Sequence, residues 1–203
     1  MAADAGVGGL RPGRARDLDD RRAADRDRHP GRLRLALRIA ENESDGEQPV
    51  PAPDSAGVSR FRACGERLWP LAPSWVKDRL AVQATGPEYV DARELVSMRG
   101  AQVAVRALAR IRRALAECTR PVRGAVWTVH AAETGYDTVT FTLSYTRGLG
   151  LSVFQAVRVG KGVLITHTYN ESMLANSGAG IRKQTRLGRD LASEMCVFAR
   201  AGC

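Results

Sequence analysis

Aromatic residues are scarce in this chain, at 5% of 203 residues, and there are only three histidines. So few stacking side chains argue against a protein that tracks single-stranded nucleic acid. No apolar run approaches the roughly 20 residues that a membrane-spanning helix needs. The four cysteines stand apart at Cys64, Cys118, Cys196 and Cys203, with no Cys-x2-Cys spacing and no histidine pair beside them. A metal site is therefore not expected. The motifs G-x-S-x-G and H-E-x-x-H are absent, as is a paired acidic motif, so neither catalysis nor a cofactor is expected.

What is abundant is arginine. The formal charge is +9. Residues 1–50 hold ten arginines and ten acidic residues, so the whole excess lies in 51–203. A basic balance fits nucleic acid or an anionic surface without establishing either. GC-rich coding would also favour arginine over lysine, so the charge is discounted and no nucleic-acid partner is expected.

The stretch "GLRPGRARDLDDRRAADRDRHPGRLRLALRIAENESDGEQPVPAPDSAG" is dense in charge, proline and glycine and has no aromatic residue. It offers too little apolar surface to offset chain entropy. Residues 1–57 are expected to form a disordered tail or tether, and 58–203 the folded domain. Residues 1–30 contain no apolar stretch of the kind an export signal requires.

From Phe61 onward the character changes, and all three tryptophans lie there. "RLAVQATGPEYVDARELVSM" predicts two strands around a "TGPE" turn. "GAQVAVRALARIRRALAEC" predicts a helix, with Ala101, Val105, Leu108, Ile111 or Arg112, Leu115 and Cys118 along one stripe. Its arginines are expected to form a solvated outer face. Strands follow at "GAVWTVH", "DTVTFTLSYT", "LSVFQAVRV" and "GVLITHTYN". The second of these alternates Val139, Phe141, Leu143 and Tyr145 with Thr138, Thr140 and Thr142, so one face should meet a core and the other be polar. Residues 178–198 predict a second helix, with Leu187, Leu191, Met195 and Phe198 on one face. Gly188 counts against that helix, since an interior glycine costs about 1 kcal/mol relative to alanine. The expected fold is α+β: an antiparallel meander sheet with two main helices packed on one face.

Three further features have competing explanations. "NSGAGIRKQTR" (176–186) could cradle a phosphate at a helix start, as in an acyltransferase, but a flexible turn explains it more simply. His130 and His167 fit core or rim positions better than catalytic ones. The cysteines suit either idle thiols or two disulfides, with three connectivities open.

"RALARIRRALAEC", a strand around "YDTVTFTLSY", then "AVRVGKGVLI" and a last helix ending in "EMCVFARAGC" together resemble the PknH-like extracellular sensor domain. That domain forms the outer part of certain mycobacterial receptor Ser/Thr kinases and occurs in exported actinobacterial proteins and lipoproteins. The resemblance covers roughly 64–203. It implies an exported, non-catalytic α+β domain with two disulfides, Cys64 with Cys118 and Cys196 with Cys203, the alternative being Cys118 with Cys196. It also implies a cleft for an unidentified small ligand or cell-envelope component. Trp75, Trp127, Tyr145 and His167 are candidate ligand contacts on residue type alone. Extracytoplasmic placement then requires a misplaced or truncated start, with any membrane link made through an anchor not seen in this sequence.

Overall fold

Strand β7 (Asp137–Tyr145) shows how the chain builds its core. Its alternating side chains put Val139 and Phe141 into one hydrophobic cluster, with Leu143 at its margin. Phe141 stacks on Phe154 of the next strand at 4.9 Å between centroids, and Phe61 meets both rings edge-on at 5.0 and 5.3 Å. Each such ring contributes about 1.5–3 kcal/mol by leaving water.

The structure, a computed structural model, describes residues 35, 50–51, 58, 61–69, 72–131 and 134–199. The strands before the first helix are β1 (Val50–Pro51), β2 (Arg62–Ala63), β3 (Glu66–Arg67), β4 (Val76–Thr85) and β5 (Tyr89–Met98). Helix α1 (Ala101–Glu117) follows, then β6 (Ala125–His130), β7, β8 (Leu151–Val159), β9 (Gly162–Asn170) and α2 (Ser177–Glu194). Short 3-10 turns at Pro73–Trp75, Glu171–Asn176 and Met195–Phe198 flank β4 and α2.

The main sheet is antiparallel in the order β1-β4-β5-β9-β8-β7-β6, and β2 and β3 form a separate hairpin. The expected α+β class is found, with two differences in arrangement. Strands β6 to β9 make a meander, but α1 carries the chain from β5 to the far edge before it begins. The two helices also lie on opposite faces and not on one. Helix α1 buries Leu108, Ile111 and Leu115 with Val96, Phe141 and Ile165. Helix α2 buries Leu187, Leu191 and Ala192 with Leu95, Val157 and Leu164.

The cause lies in the central strands. Strands β8 and β9 are buried on both faces over most of their length. Near-continuous apolar runs of that kind need a cover on each side. The threonine face of β7, expected to be polar, is accordingly covered at Thr140 and Thr142. Gln155 Nε2 donates to Thr140 Oγ1 at 2.9 Å, and Gln184 of α2 bonds to Thr166 and Thr168. This polar layer satisfies buried groups that would otherwise be penalised, while Gln155 Oε1 has no partner among the described residues.

Gly188 sits against that layer. A Cβ at this position would overlap Gln155 Oε1, so the glycine allows α2 to approach β8 closely. The stripe of α1 also differs from expectation: Ala104, Ala107 and Ala114 are buried, while Val105 is exposed. The arginines of α1 are not simply solvated. Arg110 pairs with Glu66 at 2.7 Å, Arg112 with Asp137, and the Arg106 guanidinium lies 5.9 Å from the Trp75 ring centroid.

Most of 1–57 lies outside the described residues. Within that stretch Leu35 is buried in the cluster under α2, and its carbonyl accepts a 2.8 Å hydrogen bond from Arg93. Val50 and Pro51 pair with Gln83 and Val82 and extend the sheet beyond β4.

Two titrating groups link this fold to pH. Burial tends to raise the Asp137 carboxyl, but hydrogen bonds and charge from Arg158 and Arg112 hold it below the usual carboxylate range. Its stabilisation is present above the unfolded carboxylate pKa and is lost as pH falls through the lower folded value. Burial lowers the His130 pKa. The unfolded chain therefore binds this proton first, and stability falls as pH drops through the ordinary histidine range near 6.5. Wild-type protein should lose Tm relative to His130→Gln between about pH 7.5 and about pH 5.5. A constant Tm difference across that window would contradict the assignment.

Candidate functional site

Two tight turns build one end of the α1 face. Cys64 and Gly65 both have positive φ, at 49° and 87°, and join β2 to β3. Arg123 and Gly124, at 52° and 80°, make a second such turn between Val122 and Ala125. Positive φ at both central residues is the type I′ geometry that matches strand twist. The first turn is fastened to the end of α1 by the Cys64–Cys118 disulfide, with 5.5 Å between the Cα atoms. The hairpin is also tied to the sheet, where Trp127 Nε1 donates to the Arg62 carbonyl at 2.9 Å.

Between this hairpin and the sheet lies a cleft of about 770 Å³. That size suits a small ligand. Its floor includes Phe154, Leu143 and His167, and Trp127, Tyr145 and Tyr169 also line it. Strand register brings them together: Trp127 faces Leu143 across β6 and β7, and Phe154 faces His167 across β8 and β9. The His167 ring stacks on Phe154 at 4.2 Å and 7°, with Nε2 3.1 Å from Ser152 Oγ. Gly150, at φ +82°, opens the turn before β8. A Cβ there would lie 2.6 Å from the Tyr169 ring, so glycine lets Tyr169 cross the turn.

Three of the four candidate contacts, Trp127, Tyr145 and His167, thus meet in one cleft. Trp75 lies elsewhere, on the turn into β4 beside Arg106. Arg62 and Arg67, on the two arms of the hairpin, and Arg123, on the facing turn, also line the cleft and are not among the candidates read from the sequence. The available signal was the X-Gly pair at each turn, Cys64-Gly65 and Arg123-Gly124.

A second cleft, of about 1020 Å³, opens on the other face beside the start of α2. Arg182, Lys183 and Arg186 line it, with Tyr89 and Asn170. The glycines of 176–186 are not a loop ahead of this helix. Gly178 and Gly180 lie within α2, which begins at Ser177. A Cβ on Gly180 would lie 2.7 Å from Met173 Sδ, so packing against the preceding turn accounts for that residue.

The cysteines are paired as the sensor-domain resemblance implies at Cys64 and Cys118. That bond excludes the alternative of Cys118 with Cys196. Cys196 is itself disulfide-bonded; Cys203, its implied partner, lies outside the described residues. Among the described residues no helix is long and apolar enough to cross a membrane, and no cluster of three His, Cys, Asp or Glu could hold a metal.

No protein-family model and no curated protein matches the chain. Among solved structures, the extracellular domain of PknH from Mycobacterium tuberculosis is similar at 11% identity, over 69% of this chain and 83% of that one. Its TM-score of 0.43 makes this a distant likeness of fold.

Proposed function

We propose that this chain is a non-catalytic binding domain of an extracytoplasmic compartment. It holds a small ligand or cell-envelope component in the cleft between the stapled hairpin and the sheet. The observation that carries the proposal is the cleft itself, where Trp127, Tyr145 and His167 converge behind a hairpin locked by Cys64–Cys118. Rigid aromatic walls offer contact area at little entropic cost, and a pre-formed cavity spares a ligand the cost of ordering its site. A disulfide between distant segments suits an oxidising compartment. The sequence pattern over 64–203 supports the same reading.

A neutral fluorescent probe, N-phenylnaphthylamine, tests the site. It should bind saturably at one site per chain. Trp127→Leu should weaken binding by about tenfold or more, as loss of a central aromatic anchor does. Trp75→Leu, remote from the cleft, should leave binding unchanged. Equal losses in the two variants, or no saturable binding, would contradict the proposal.

A further inference from the structure

The cleft carries more information than its shape. Its lining includes three arginines, Arg62, Arg67 and Arg123, and no aspartate or glutamate among the described residues. None of the three makes an ion pair among the described residues. Five arginines elsewhere are matched to acids: Arg79 with Glu94, Arg93 with Asp91, Arg110 with Glu66, and Arg112 and Arg158 with Asp137. The three arginines of the cleft stand one on each arm of the β2–β3 hairpin and one on the facing turn, with no acidic residue beside them in the lining.

Between and below them the surface is apolar. Phe154 is almost fully buried beneath the floor, whereas Leu149 is 76% exposed and Tyr145 53% exposed. Val122, at 38%, adds to the same exposed edge. Apolar side chains grouped at the mouth of a cleft mark a binding surface more often than scattered ones do. Arginine is the cation suited to holding a carboxylate or phosphate through paired N–H donors.

We infer that the ligand is an anionic amphiphile, with an apolar chain along Leu143, Leu149 and Phe154 and an acidic head between Arg62, Arg67 and Arg123. This rests on the binding-domain reading above and narrows it to one ligand chemistry. A fatty-acid carboxylate and a lipid phosphate share that chemistry. The arrangement disfavours cationic amphiphiles, since three like charges would face their head group.

The test titrates the disulfide-intact full chain with four probes of equal chain length: dodecanoate, dodecyl phosphate, dodecanol and dodecyltrimethylammonium. Both anions should bind at least about tenfold more tightly than the alcohol, and the cation most weakly. Whichever anion binds more tightly separates the carboxylate source from the phosphate source. In Arg62→Gln/Arg67→Gln/Arg123→Gln, affinity for dodecanol should persist while the preference for anions collapses. Circular dichroism and binding of the alcohol confirm that the variant is folded. If dodecanol binds wild-type protein as tightly as dodecanoate, or the triple variant keeps its preference, the anionic assignment is overturned while the cleft reading stands. Should no probe bind whatever its head group, the cleft reading fails with it.

Discussion

Replacing Cys64 and Cys118 together by alanine will lower the unfolding free energy by about 4 kcal/mol. The two residues are 54 apart in sequence, and their bond removes that loop's freedom from the unfolded chain. The magnitude follows from loop length through the chain-entropy account of disulfides. For a domain of this size it corresponds to a fall of roughly 10–15 °C in Tm. The loss is large beside the 5–15 kcal/mol that holds most domains folded.

The double alanine variant isolates this bond, whereas a reductant would also open the one at Cys196. It has a second consequence. Cys64 holds a positive φ of 49°, which a non-glycine residue adopts at some cost. Without the bond to α1, the hairpin keeps the Trp127 indole bond and the Arg110–Glu66 pair as polar ties. Binding in the cleft should therefore weaken along with stability. A Tm within about 2 °C of wild type would show that the bond is not structural. Thiol labelling of unreduced, denatured protein should find neither Cys64 nor Cys118 reactive, and labelling of both would remove the support for an oxidising compartment.

Gly188→Ala will also destabilise the fold, by about 2 kcal/mol, although alanine is the better helix former. Propensity alone would favour the change by about 1 kcal/mol. Against that, the new Cβ would overlap Gln155 Oε1, and Gln155 is fully buried. Its amide is also held by Thr140, so it cannot swing aside without leaving a buried hydroxyl short of a partner. Overpacking of this kind costs about 1–3 kcal/mol, and an unsatisfied buried polar group a similar amount. In the Gln155→Ala background Gly188→Ala should become neutral or stabilising, because the overlap is gone. Denaturant unfolding of the four proteins in this cycle measures the coupling. Additive effects would show that Gly188 and Gln155 do not constrain one another.

That glycine illustrates how far the sequence could be read. An interior glycine looked unfavourable by propensity, and its reason was a tertiary contact with a residue 33 positions away, beyond any local pattern. Where a pattern was local and long, it gave the element closely. The strand over 137–146, found as Asp137–Tyr145, and the helix stripe of Leu187 and Leu191 follow from periods of 2 and 3.6. The two-residue strands β2 and β3 are too short to show any period.

The placement of the helices was less accessible. The threonines of β7 mark a polar face, and it is β8 and β9, apolar on both sides, that require this face to be covered as well. For the cleft, Leu143 and Tyr145 share a face of β7 by alternation alone. Bringing Trp127 and His167 to that face depends on the register of β6 and β9, which no single strand encodes. Trp75 shares its residue type with Trp127 but not its position, and residue type carries no position.

If the cleft on the α1 face binds ligand, nuclear magnetic resonance will locate the contact residue by residue. Titrating isotopically labelled protein with N-phenylnaphthylamine should give saturable shifts at the Trp127 indole N–H and at the amides of residues 62–67 and 149–152. Shifts confined to residues 177–186 and Tyr89, beside the second cleft, would contradict binding on the α1 face, as would the absence of any saturable shift.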